Sequence, residues 1–119
     1  MLLRSCLNEE TIAAIVGWGR TVGVIASLIS VDMHEAGRIR RTVPKGGAQH
    51  TVFRVGEPHG RITPRAEEVA ALLRNADSAK VTTNLWGERW SKLVINSMRN
   101  GLSAATALSG NQQIGRAHV

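Results

Sequence analysis

Apolar and polar positions recur with different periods along the chain, and the changes of period mark out its elements. The longest signal is Trp86 to Gly110, WGERWSKLVINSMRNGLSAATALSG, where apolar residues return at helical intervals. Within it Lys92, Asn96 and Asn100 stand four residues apart, so the spacing predicts one polar row along a single helix face. Leu93, Ile95 and Met98 are expected to pack on a core behind that row, and Glu88, Arg89 and Arg99 to face solvent.

Upstream, Asn8 reads as the N-cap of a short helix with Glu9 and Glu10 at its positive end. Ile12, Ile15 and Val16 form its expected buried side, and Gly17 with Gly19 ends it. Thr21 to Val31 is rich in β-branched residues and predicts a largely buried strand, after which Glu35, Ala36 and Gly37 make a turn. Arg38 to Val43 predicts a half-exposed strand, with Thr51 to Val55 as its antiparallel neighbour across a Pro44, Gly46, Gly47 loop. Thr63 and Pro64 open an amphipathic helix that places Val69, Leu72 and Leu73 inward and Glu67, Glu68 and Arg74 outward, ending near Asn75. Lys80 to Thr83 is a short strand, and Asn84 caps the long helix. Such an order is expected of an α/β region handing over to a helical one.

Composition narrows this picture. With 119 residues and 43% apolar content the chain can bury one modest core. No apolar run reaches membrane-spanning length and no secretory signal opens the chain, which predicts a soluble, cytoplasmic protein. Cys6 is the single cysteine, so no internal disulfide is expected, and with no helix start or cationic partner evident around it, it reads as an inert thiol. His34, His50 and His59 lack ligand spacing, so no metal site is predicted. Trp86 and Trp90, at i and i+4, read as packing anchors rather than a ligand platform, with Trp18 beside them in type.

The net charge of +6 and a pI near 11.1 permit anionic partners. Seven of the fifteen basic residues, Arg38, Arg40, Arg41, Lys45, Arg54, Arg61 and Arg65, fall where Glu57 is the only acid. A nucleic-acid surface interleaves aromatics for stacking, whereas Phe53 is the only aromatic there, so a solvated hairpin face is the expected reading and no nucleic-acid partner is predicted. Gly46 and Gly47 follow Pro44 as turn residues, and the chain contains no G-x-G-x-x-G or Walker motif.

Candidate chemistry lies in the polar row. A lysine that can give up a proton, flanked by carboxamides that can orient a polar ligand, is a candidate acid site, although polar rows on helices commonly face water. Here the letters W-S-K-L-V-x-N-x-x-x-N-x-L-S-A resemble the helix that opens the C-terminal domain of ketopantoate reductases. The resemblance covers most of Asn8 to Gly110 in order, and this helix is its most specific part.

By that resemblance Lys92 is the proton donor, Asn96 and Asn100 bind substrate, and Asn111 is a further substrate-binding asparagine at a spacing one residue longer. The family's Gln-Asn-Gly, whose asparagine touches cofactor and substrate, aligns with its asparagine at Ser5, a departure from the pattern. The implied fold is α/β followed by α. Residues 1–84 would be an incomplete C-terminal portion of a Rossmann-like NADP-binding domain with strands, a hairpin and one or two helices. Residues 85–113 would be the first helix of a helical substrate and dimerisation domain. Residues 114–119, IGRAHV, are what ATC GGA AGA GCA CAC GTC encodes, which looks like a sequencing adapter read as protein.

The implied activity is NADPH-dependent reduction of a 2-oxo acid, most specifically 2-dehydropantoate to pantoate in pantothenate biosynthesis, in a homodimer. The cofactor's phosphate loop and the family's downstream serine and glutamate are missing from these residues, so the chain alone is expected to be inactive and to bind NADPH weakly or not at all. Two rival classes are a small basic nucleic-acid-binding module and a non-catalytic helical interaction or dimerisation fragment.

Overall fold

The computed structural model describes residues 7–27, 29–46 and 50–107. It holds a mixed α/β arrangement of two small sheets and three helices, the last of them long. Helix α1 (Asn8–Val16) leads through a 3₁₀ turn at Trp18–Arg20 to strand β1 (Gly23–Ala26). Strands β2 (Val31–Glu35) and β3 (Arg38–Arg41) follow, then β4 (Phe53–Gly56), α2 (Pro64–Arg74), β5 (Ala79–Val81) and α3 (Leu85–Thr106).

The larger sheet has the order β1-β4-β5, with β1 antiparallel and β5 parallel to β4. Helix α2 supplies the crossover that the parallel pair requires. Thr63 and Pro64 start that helix as the sequence predicts, and the Thr63 hydroxyl accepts from the Ala66 N–H at 3.3 Å. Its buried side is Ala66 and Ala70, which meet Val55 and Ala79 with Val69 and Leu73 at the rim. Small residues here let the helix lie close on the sheet. Leu72, expected inward, is 71% exposed, because the inward stripe runs through the alanines instead.

Three further expectations are corrected. The hairpin joins β2 to β3, not Arg38–Val43 to Thr51–Val55, because the continuous strand expected from Thr21 to Val31 breaks after Ala26. Gly37, at φ +78°, makes the tight turn Ala36–Gly37 that allows this nearer pairing. Asn8 lies inside α1 with Leu7 at the cap and no side-chain cap bond. The buried face of α1 is Glu9 and Ala13, while Ile12, Ile15 and Val16 are largely exposed.

Two glycines place α3. Gly23 pairs with Gly56 across β1 and β4, and a Cβ on Gly56 would lie 2.9 Å from Leu85 Cβ and 3.2 Å from the Thr82 carbonyl. Leu85, the first residue of α3, fills that space and is fully buried. Asn84 caps the helix, accepting from the Gly87 N–H at 3.1 Å. The crowding atoms on Gly56 are a Cβ and backbone, which cannot swing aside. Gly56→Ala is therefore expected to lower stability by about 1–3 kcal/mol in urea unfolding, as overpacked cores do; an unchanged midpoint would show that α3 shifts freely.

Ion pairs tie strands, loops and helices to one another. Arg41 reaches the buried Asp77, Arg54 Nε meets Glu88 Oε2 at 2.7 Å, and Arg65 bridges Glu57 on both oxygens. With the Arg38–Glu35 pair at 3.1 Å, four of the seven clustered basic residues are held in pairs. Burial opposes the charge on Asp77, but the Ser78 N–H, Arg41 and the Gly46 N–H together hold its carboxyl below the usual range.

Glu57 accepts hydrogen bonds from Arg65 and from the Thr63 hydroxyl. The Arg65 hydrogen bonds outweigh burial and, with Thr63 and the charges of Arg65 and His59, draw the carboxyl from an ordinary 4.5 to about 2. A lowered pKa favours the ionised folded state, so this stabilisation is complete above 4.5 and is lost as pH falls from there toward about 2. The urea midpoint is expected to fall across that window, and Glu57→Gln to flatten the fall. An equal acid dependence in the variant would contradict the assignment.

Candidate functional site

Helix α3 turns its polar row toward the sheet. Arg89, Lys92, Asn96 and Asn100 succeed one another at intervals of three, four and four residues, continuing the line begun by Leu85. Burial declines along it, from Leu85 and Arg89 through half-buried Lys92 and Asn96 to exposed Asn100. The apolar positions are turned the other way: Ile95 is 54% and Met98 71% exposed. The expectation that Ile95 and Met98 pack on a core is thus corrected, as is the solvent placement of Glu88 and Arg89. Turning charged and amide groups inward costs desolvation that an apolar stripe would avoid.

The row lines a cavity of about 950 Å³ between α1, β1, the start of β2 and α3. Lys92, Asn96 and Asn100 all reach it, joined by Arg20, Glu9 and Arg89. Strand β1 fixes the two cations of α3: Lys92 Nζ donates to the Ala26 carbonyl, and Arg89 Nη2 donates to the Val24 carbonyl at 3.2 Å. Arg89 also pairs with Glu9 of α1, and both are buried, at 8% and 4% exposure. Burial pushes the Arg89 guanidinium below its ordinary pKa. This pair ties the two helices together over β1.

The arrangement is cationic overall, since Arg20, Arg89 and Lys92 face the cavity against Glu9 alone among its lining acids. Neutral donors and acceptors on Thr21, Ser30, Asn96 and Asn100 complete it. Such a lining suits a small anionic ligand with further polar groups, and places an ammonium donor among amides that can orient it. Asn111 and Ser5 lie outside the described residues, as does Cys6. Among the described residues no group of three or more His, Cys, Asp or Glu stands where it could hold a metal ion. No helix of the described residues is long and apolar enough to cross a membrane.

Sequence reasoning missed Glu9, Arg20 and Arg89. Arg89 had a signal, because it lies three residues before Lys92 and therefore on the same helix face. Glu9 and Arg20 had none, since their meeting with α3 is a tertiary contact. The tryptophans divide: Trp86 donates to the Pro58 carbonyl at 3.0 Å and meets Trp18 edge-to-face at 6.3 Å and 70°, whereas Trp90 is 50% exposed. No family model, curated protein or solved structure matches the chain.

Proposed function

We propose that this chain carries the acid and the substrate-orienting groups of a 2-oxo acid reductase, with 2-dehydropantoate as the substrate. One observation carries the reading: the lysine and two asparagines that resemble the ketopantoate reductase helix line one cavity, on the face of α3 turned toward the sheet. As the carbonyl carbon is reduced, negative charge grows on its oxygen. The Lys92 ammonium neutralises that charge and supplies the proton. Asn96 and Asn100 hold the ligand's remaining oxygens so that one carbonyl face stays open to the reductant.

NADPH is the reductant the resemblance implies, and the described residues do not fit its pyrophosphate. The N-termini of α2 and α3 are closed by the side chains of Thr63 and Asn84, and no G-x-G-x-x-G turn joins a strand to a helix among the described residues. No step is therefore assigned here to cofactor binding by these residues. Calorimetric titration of the chain with 2-dehydropantoate is expected to show saturable binding at one site. Heat that stays linear with ligand up to tens of millimolar would contradict the proposal.

The exposed basic hairpin is the alternative that a nucleic-acid-binding module would use. Arg38 and Arg41 are already paired with Glu35 and Asp77, so phosphate contacts there would have to displace existing partners.

A further inference from the structure

The Glu9 carboxylate is only half used. Its Oε1 is taken by Arg89, whereas Oε2 is buried and has no hydrogen-bond partner among the described residues. A buried carboxylate oxygen without a donor is costly, and such groups in folded proteins call for an explanation. Glu9 lines the same cavity as Lys92 and Arg20. Gly23 helps to create the place: a Cβ on it would lie 3.1 Å from Glu9 Oε1 and 2.5 Å from Leu85 Cδ2.

We propose that Glu9 is a specificity-determining residue that accepts a hydrogen bond from a hydroxyl of the bound 2-oxo acid, selecting hydroxylated substrates over otherwise identical ones. This rests on the reading of the cavity as a 2-oxo acid site. Arg20 lines the cavity without an ion pair among the described residues and supplies a cation for the ligand's carboxylate. With the carboxylate on Arg20 and the ketone beside Lys92, the only anionic acceptor in the lining remains for a donor group. Carboxylates accept from hydroxyls strongly in partly desolvated sites, and a site built to bind a hydroxyl rejects the analogue lacking it.

The test compares two probes on the full chain, 2-dehydropantoate and 3,3-dimethyl-2-oxobutanoate, which differ by that hydroxyl alone. The expected result is that the hydroxylated probe binds roughly ten- to a hundredfold more tightly, the range of a hydrogen bond to a charged group. A double variant, Glu9→Leu with Arg89→Met, removes the acceptor without stranding a buried charge, and is expected to bring the two affinities together, whatever loss the missing guanidinium causes to both probes alike. Equal affinities in the natural chain, or a preference that survives in the double variant, would overturn the role of Glu9 alone. Binding of neither probe would overturn the cavity's function and this inference together. If the double variant does not fold, Glu9→Gln, which keeps the volume and removes the charge, is expected to narrow the difference between the two probes, and an undiminished difference would overturn the role of Glu9.

Discussion

Replacing Arg89 by methionine lowers folding stability by about 3–5 kcal/mol, because it leaves the Glu9 carboxylate buried without its partner. Small domains have only about 5–15 kcal/mol in total, so the variant stands near the edge of unfolding. The cost does not measure the worth of the pair. Two desolvated charges offset much of their attraction, and an apolar pair of similar volume can be as stable. Glu9→Leu combined with Arg89→Met is therefore expected to recover most of the loss. Urea unfolding of the single and double variants checks both steps. A single variant within about 1 kcal/mol of the natural chain would show that Glu9 is not held in a dry place.

Lys92→Met is the second large effect, and it falls on the ligand rather than on the fold. On the proposed function the cavity loses the ammonium that meets the ligand's oxygens, so affinity for 2-dehydropantoate is expected to drop roughly ten- to a hundredfold. Methionine keeps most of the side chain's apolar length, so the contacts of that length with β1 persist. The Ala26 carbonyl loses a donor, which costs about 1 kcal/mol. Calorimetry with 2-dehydropantoate, paired with urea unfolding, separates the two. Unchanged affinity would remove Lys92 from the site. General acids contribute about 10²–10⁴ to rate, which is the further loss this variant predicts in any reaction the cavity supports.

These effects explain which parts of the molecule could be read from its letters. The starts of α2 and α3 were legible because they are local: Thr63 and Asn84 each bond an N–H within three residues, and Pro64 fits the first helical position. The polar row was legible for the same reason, since a spacing of four fixes a shared face whatever lies opposite. Its direction was not. Ordinary amphipathic reasoning turns apolar Ile95 and Met98 inward, and α3 does the reverse because Leu85, docked against Gly23 and Gly56, sets the helix's rotation. The hairpin was misplaced because register follows from which turn closes, and Ala36–Gly37 closes sooner than the Pro44 loop. Arg89 read as a solvated charge and Glu9 as a carboxylate at the positive end of its helix. Only the tertiary contact of α1 with α3 converts them into a buried pair.

On the proposed function Lys92, Asn96 and Asn100 face a ligand together. Nuclear magnetic resonance reads it directly, because the side-chain amides of Asn96 and Asn100 give their own nitrogen-attached proton signals. On titration with 2-dehydropantoate those amide signals and the Lys92 backbone signal are expected to shift along one saturation curve. Shifts confined to other residues, or none at all while the ligand is in large excess, would contradict the account.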